Sequence, residues 1–486
     1  MSTDSIKILG VNFTYNGDIF IEKKFCNVIE KIEKVLSAWR WRYMTIAGEI
    51  TIFNSLAFSK IIFVTYLTAI PEKIVKQIEI IQNEFIWEGK KPSVRYLTMV
   101  ADYADGGLKM IHVRAKFHSL KLAWVKRLSS NNFHPWMNIP KYFFKENVRF
   151  FPNIKNKFSK NLPTFYIQLI HAWSELNQEP ITPETVLTQY IWNNVFIKID
   201  NLPIKKLFNF DLFVGDLFHG RDLIQWNDFK NKYNLSEANY FKFRQILASI
   251  PRQWKKTIED ADFETVFDRP APHVLNVSRI IPVDKLFAKY GYCLLLRNIK
   301  LPPSSQLKIS EKIGRTDINW PVVYTLMHIS TLDSYARIFH FKCSHNVLFL
   351  NERLFKMGVV ENPKCSFCKL VNEDINHLFY ECIFSKRLWN KIKSHFRELN
   401  LPELTPESAY LGFQNVDDIL VNLVHIVFKI SLYKTRHTGI TKMNQIISKV
   451  RSFKLIEENI TLHKPSKRDF NRIKWEKCPD SRLSET

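Results

Sequence analysis

Three cysteines and one histidine occur close together in the sequence, at spacings that suit a metal ion. Two residues separate Cys365 from Cys368, eight more precede His377, and four more precede Cys382. Thiolates at this spacing can reach one ion across a tight turn, and the other two donors can complete a tetrahedron. Four protein ligands leave no open position, so the pattern predicts structural zinc. The alternative is a set of buried free thiols.

A second group of such residues, His340, Cys343 and His345, lies on a stretch of alternating apolar residues. Side chains of these types occur more often in packed or surface positions than as metal ligands. We therefore predict that these three residues are plain packing or surface residues and not metal ligands.

The sequence contains no recognisable catalytic centre. Tyr103-Ala104-Asp105-Gly106 resembles the Tyr-X-Asp-Asp signature of reverse transcriptases, but a glycine replaces the second aspartate. Polymerases hold two metal ions with paired carboxylates, so the signature fails at the decisive position. Asp102 and Asp105 are instead predicted to lie in a polar loop that caps the next helix. Gly-rich phosphate loops, serine-nucleophile elbows and His-Glu-X-X-His motifs are also absent, and no residue is assigned a catalytic role.

Basic and aromatic side chains alternate in the N-terminal part of the chain. The basic candidates for phosphate contact are Lys23, Lys24, Lys31, Lys34, Arg40, Arg42, Lys90, Lys91 and Arg95. Trp41, Trp87 and Tyr96 lie beside them and offer rings on which bases can stack. The chain has 70 Lys and Arg against 47 Asp and Glu, with a pI near 9.5. This surplus favours RNA or DNA as the partner, although a charge run can also be simply a solvated face.

Composition and periodicity favour a mainly α, multidomain protein. Glycine is scarce at 13 of 486 residues, which disfavours tight-turned sheets. A short N-terminal β-hairpin is predicted, with its turn at Asn16-Gly17 and its second strand over residues 19–21. The helices predicted from apolar spacing are residues 23–43, residues 45–67, one opened by Pro71, and one after Gly106-Gly107.

Neither a membrane partner nor secretion is expected. The most apolar stretch, Ile419 to Tyr433, is shorter than the about 20 residues of a bilayer span, and it predicts a buried helix. The N-terminus lacks a secretory signal pattern, and the seven cysteines are an odd number. These features favour an intracellular location, nuclear or cytoplasmic, where thiols stay reduced.

Several short sequence segments resemble segments of LINE-type, non-LTR retrotransposon reverse transcriptases. They are Ile8-Leu9-Gly10-Val11, residues 48–56, Ser59-Lys60, Phe85-Ile86-Trp87, Gly106-Gly107-Leu108, residues 248–254 and residues 365–389. The resemblance implies a primer-grip hairpin at Leu9-Gly10, a helical thumb, a helical connecting region and a small CCHC zinc module. Fingers and palm would precede Ile6, so the chain is expected to be the C-terminal portion of such an enzyme, without polymerase activity alone.

The resemblance also implies what the chain binds. The thumb would grip template and primer, and the zinc module with its flanks would engage element RNA and target DNA during target-primed reverse transcription. A palm-containing polymerase segment would be a further partner.

The predicted organisation has four parts. They are residues 1–130 (hairpin and thumb-like domain), 131–330 (connecting region), 331–400 (zinc module) and 401–486 (a helix and a basic tail). Three alternatives stay open: a C-terminal endonuclease, a protein-interaction module, and the product of a decayed element. An endonuclease needs clustered acidic residues with a lysine, and after Cys382 the acidic residues are the pair Asp417-Asp418 and otherwise scattered.

Overall fold

The computed structural model is mainly helical, which confirms the predicted fold class. Leu9-Gly10, Asp417-Asp418 and most of the basic tail lie outside the described residues. Only the backbone is described for the described residues before Phe25 and for residues 141, 144, 273–276 and 279. The described residues are 5–8, 11–14, 17–128, 134–144, 162–176, 179–180, 182–192, 194, 196–261, 273–276, 279–414, 419–463, 474–476 and 478.

The described part of the chain forms 21 α-helices and four short antiparallel strand pairs. The helices are α1 Gly17–Arg40, α2 Ile46–Ile52, α3 Ser59–Leu67, α4 Glu72–Trp87, α5 Tyr96–Val100, α6 Val113–Leu128, α7 Asn138–Phe144, α8 Thr164–Leu176, α9 Pro183–Leu187, α10 Trp226–Tyr233, α11 Tyr240–Ser249, α12 Arg252–Glu259, α13 Ala288–Ile299, α14 Ser305–Ile313, α15 Trp320–Ser330, α16 Ser334–Ser344, α17 Asn351–Lys356, α18 Ile383–His395, α19 Pro406–Leu411, α20 Ile419–Thr435 and α21 Met443–His463. The strand pairs are β1 Ser5–Ile8 with β2 Val11–Thr14, β3 Lys198–Ile199 with β4 Leu202–Pro203, β5 Phe218–His219 with β6 Asp222–Leu223, and β7 His273–Asn276 with β8 Arg279–Pro282.

The chain forms two compact units, and each unit is assembled from three separate stretches of the sequence. Unit 1 comprises Met1–Lys31, Phe58–Glu79 and His112–Ile299. Unit 2 comprises Ile32–Ala57, Ile80–Ile111 and Lys300–Thr486. The four-part division drawn from the sequence stays a prediction.

The N-terminal hairpin differs from its prediction. Ile8 pairs with Val11, so the hairpin turns between β1 and β2, and the predicted turn at Asn16-Gly17 is wrong. Residues 19–21 belong to α1, which begins at Gly17. The reason is periodicity: Ile21 precedes Phe25 by four residues, so the apolar pattern of the helix extends upstream.

The apolar stripe of α1 is confirmed. Phe25, Val28, Ile29, Ile32 and Leu36 are all buried, as the spacing of a core-facing helix requires.

The predicted helix over residues 45–67 is interrupted. Thr45 caps α2 by accepting a hydrogen bond from the Gly48 backbone N at 3.3 Å, and a π-helical turn over Phe53–Ala57 precedes α3. Within the described ranges, no single helix is long and apolar enough to cross a bilayer, and only Ile46–Ala57 with Ser59–Leu67, as a bent pair, meets those criteria.

Unit 1 contains a lysine buried inside its helical core. The Lys121 ammonium donates to the Thr65 and Thr68 carbonyl oxygens at 2.6 and 2.5 Å, at the C-terminal end of α3. Burial lowers the pKa of Lys121 to about 7. The contact satisfies carbonyl groups that a helix end leaves without intrahelical partners.

The core of unit 2 surrounds α20, the helix predicted from the apolar stretch at Ile419. Its residues from Leu420 to Ile430 are all buried, including the polar residues Asn422, His425 and Lys429. The Lys429 ammonium donates to the Ala409 carbonyl oxygen at 3.1 Å. The prediction of a buried helix is therefore confirmed.

The Gly106-Gly107 break is a tight turn that needs glycine. The Asp102 side chain accepts from the Tyr103 backbone N at 2.6 Å and so caps a single 3₁₀ turn, not the following α-helix as predicted. Gly106 has a φ of +80°, and a Cβ on Gly107 would lie 1.9 Å from the Ala101 carbonyl oxygen. Any side chain at Gly107 would collide with the backbone.

His340, Cys343 and His345 are packed residues, as predicted. His340 Nε2 donates to the Val323 carbonyl oxygen at 2.8 Å, and His345 Nε2 donates to that of Gly106 at 2.8 Å. Burial, followed by the charge of nearby Lys429, lowers the pKa of His340 to about 3, and burial lowers that of His345 to about 4.

These two imidazoles should make the protein acid-labile. Below about pH 6.5 the unfolded chain protonates both residues while the folded chain keeps them neutral, so stability falls as pH decreases towards about 4. Each residue should contribute a slope of about 1.4 kcal/mol per pH unit. Urea unfolding at several pH values measures the slope. His340→Gln should reduce it, and His219→Gln, at an exposed position, should leave it unchanged. Equal slopes in all three proteins would contradict the assignment.

Candidate metal centre

A tight turn presents the first two cysteines. The Lys369 backbone N donates to the Cys365 carbonyl oxygen at 3.0 Å, and Lys369 adopts a left-handed φ of +62°. The Cys365 backbone N donates to the Val371 carbonyl oxygen at 2.7 Å, so the chain folds back on itself directly after the turn. Cys365 and Cys368 are thereby held at the two ends of one knuckle.

The other two donors lie where a short helical turn meets α18. His377 begins a π-helical turn over His377–Glu381, and its backbone N donates to Asp374 Oδ1 at 2.8 Å. The Cys382 backbone N donates back to the His377 carbonyl oxygen at 2.8 Å, and Cys382 then precedes the first residue of α18. This turn brings the imidazole and the third thiol to the same side.

The four donor atoms have the separations of a tetrahedral zinc site. All lie within 4.8 Å of one another. Cys365 Sγ is 4.0 Å from Cys382 Sγ, and Cys368 Sγ is 3.3 Å from His377 Nε2. Zinc bonds of about 2.3 Å to sulfur and 2.0 Å to nitrogen place tetrahedral donors about 3.5–3.8 Å apart. The residues present therefore fit zinc, and the structure brings together all four predicted ligands.

Burial and electrostatics also suit a metal. Cys365, His377 and Cys382 are buried, and Cys368 is half-buried. The contact between the Cys365 and Cys382 thiols lowers the pKa of Cys382 to about 5 and raises that of Cys365. His377 Nδ1 is buried with no hydrogen-bond partner, and Glu381 Oε2 lies 3.6 Å away. A carboxylate beside the second nitrogen is the usual support of a zinc-bound histidine.

A buried carboxylate outside the ligand set supports the knuckle. Glu373 is 0% exposed, and its oxygens accept from the Ser366 backbone N at 2.8 Å and the Asn351 backbone N at 3.2 Å. Arg436 Nε lies 3.9 Å from the same carboxylate and is also buried. Sequence reasoning missed this pair, because a glutamate between metal ligands gives no pattern and Arg436 is far away along the chain.

The centre is anchored to the core of unit 2. Leu378 and Phe379 are fully buried, and Trp389 on α18 donates from Nε1 to the Pro402 carbonyl oxygen at 2.9 Å. The rings of Phe367 and Phe384 stack at 4.6 Å across the knuckle and the start of α18. Ligand geometry and core packing are thus part of one structure.

Residues 315–389 match a family model described as zinc-binding in reverse transcriptase. The match contains all four donors and relates this segment to reverse transcriptases. The predicted zinc cofactor is therefore confirmed. A search of curated proteins found no match to the chain.

The predicted nucleic-acid contacts are dispersed over exposed surface. The side chains of Lys23 and Lys24 lie outside the described residues, and the exposed ones are Lys31, Lys34, Arg40, Arg42, Lys90, Lys91 and Arg95. The Arg42 guanidinium lies 4.3 Å over the Trp39 ring, and Lys90 pairs with Glu88 at 2.7 Å. Arg95 lines a separate cavity. Contact of these residues with nucleic acid stays a prediction.

Proposed function

We propose that this chain is a zinc-containing, nucleic-acid-binding part of a LINE-type reverse-transcriptase-related protein and acts inside the cell. The observation that carries the proposal is the four-donor site, which lies wholly within the segment that matches the zinc-binding part of reverse transcriptases. A closed four-ligand zinc is structural, so the ion would cross-link the knuckle to α18 and catalyse nothing itself.

The charge of the chain supports a polyanionic partner. The formal net charge is +23, and the predicted basic residues with described side chains are exposed. Trp41 is 88% exposed beside Arg40 and Arg42, which gives bases an accessible stacking surface. Cations and exposed rings together bind single strands with little dependence on base sequence.

Binding to labelled single-stranded RNA and DNA, followed by fluorescence anisotropy over a range of salt concentrations, tests the proposal. Affinity should fall steeply with salt, because phosphate contacts release counterions. The triple variant Lys31→Gln, Lys34→Gln, Arg42→Gln should weaken binding about tenfold or more and lower the salt slope by about 2.

A control with the same charge change is Lys442→Gln, Lys449→Gln, Arg451→Gln, which also replaces two lysines and one arginine at exposed positions. It should have a much smaller effect. Weak binding by the unaltered protein, with little salt dependence, would overturn nucleic-acid binding and favour a protein-interaction role instead.

A further inference from the structure

Unit 2 contains a cavity of about 330 Å³ whose lining is basic. Arg95 at the start of α5, Lys308 on α14 and Arg353 on α17 all line it. These three residues come from distant parts of the sequence, so the fold alone brings them together. Only Arg95 was expected from the sequence to contact nucleic acid.

Arg95, Lys308 and Arg353 supply the positive charge of this cavity, and Arg353 also lines a second cavity with Glu352, Glu373 and Asp374. No aspartate or glutamate is among the described residues that line the first cavity. Glu352, next to Arg353 in the chain, pairs with Lys356 at 2.5 Å instead. Burial without a carboxylate partner lowers the pKa of Arg353. Cations in a concave, partly desolvated site attract an anion more strongly than the same cations on open surface.

Neutral donors line the same cavity. Ser304 precedes α14, no side chain caps that helix, and the Gln306 backbone N donates to the Pro303 carbonyl oxygen at 3.0 Å. Ser305 Oγ donates to His345 Nδ1 at 3.2 Å, because His345 Nε2–H is already directed to the Gly106 carbonyl oxygen. Both ring nitrogens of His345 therefore already have partners inside the protein, and Ser304 is exposed.

This combination of groups specifies the ligand chemistry. Guanidinium and ammonium groups only donate, a hydroxyl can donate, and an ionised phosphate offers only acceptors. Val94 and Val347 add apolar lining that suits the carbon face of a sugar. A metal ion is a poor occupant, since it would face three positive charges.

We propose that this cavity binds a backbone phosphate of the bound polynucleotide through Arg95, Lys308 and Arg353. The inference rests on the proposed function and extends it, because it assigns one specific phosphate site on unit 2. It also makes Lys308 and Arg353 binding residues.

The test compares two double variants of the full-length, zinc-reconstituted protein. Lys308→Gln with Arg353→Gln alters the cavity, and Lys449→Gln with Arg451→Gln makes the same charge change at two exposed positions of α21. The probe is a labelled oligouridine RNA, and inorganic pyrophosphate serves as competitor. Zinc content and thermal unfolding establish that each variant is folded, and Arg95→Gln provides a second cavity variant at an exposed position.

The cavity double variant should lose about tenfold in RNA affinity and about 1.4 units of salt slope, while the control loses about twofold or less. Pyrophosphate should compete with RNA for the unaltered protein more effectively than for the cavity variant. Equal losses in the cavity and control variants would overturn the inference and leave the proposed function standing. Absence of RNA binding by the unaltered protein would overturn both.

Discussion

Replacing Cys382 with serine is expected to abolish stoichiometric zinc binding and to destabilise unit 2. Cys382 is 1% exposed, lies 4.0 Å from Cys365 Sγ, and directly precedes α18. Zinc affinity in such sites is folding free energy, so loss of one ligand should cost about 4 kcal/mol or more. Zinc content should fall from about one equivalent to less than about half after reconstitution under reducing conditions. A chromogenic chelator and urea unfolding measure the two effects.

Cys343→Ser is the matched control, because Cys343 is 0% exposed and lies outside the four-donor set. It should lose some stability from the altered packing but keep its zinc. Full zinc content in Cys382→Ser would contradict the assignment of the site. An equal loss of zinc from Cys343→Ser would show that the metal depends on the core in general.

The second large effect is expected at Glu373, which binds no metal in the proposed site. Glu373→Gln keeps the size of the side chain but removes the charge that faces Arg436 at 3.9 Å. Breaking a buried ion pair on one side costs about 3–5 kcal/mol, because the remaining charge is left without compensation. The acceptor for the Ser366 backbone N also weakens, so zinc affinity should fall.

The double variant Glu373→Gln with Arg436→Met distinguishes the two contributions. It removes both charges and should recover much of the unfolding free energy, since an apolar replacement of a buried pair is often nearly neutral. Zinc affinity, measured by chelator competition, should recover less, because the knuckle still lacks its carboxylate. Recovery of both quantities together would show that Glu373 acts only through general stability.

The predictions that the structure confirmed came mostly from local sequence patterns. The four zinc donors span 18 residues, so one turn and one helix start are enough to bring them together. The apolar stripe of α1 follows directly from the helical period, and Phe25 and Ile32 are both fully buried. The hairpin turn was misplaced because Asn-Gly is a strong turn signal in the sequence, whereas Gly17 is the first residue of α1.

Long-range features gave no sequence signal. Glu373 and Arg436 are each ordinary charged residues in the sequence, and only the fold buries them together. Lys308 and Arg353 likewise line one cavity with Arg95, although the three residues belong to separate elements. No period or motif encodes such convergence, so these residues could be identified only from the structure.

Unit 2 can complete its core only after its last stretch, which begins at Lys300, has been translated. Residues up to Ile111 leave the ribosome about 190 residues before Lys300 does. Because synthesis proceeds at about 5–20 residues per second, about 10–40 s pass before the residues that complete this core begin to emerge. The side chains of α2 and α5 that the folded protein buries are exposed to solvent throughout that interval, so chaperones that shield apolar surface should associate with the nascent chain at this stage.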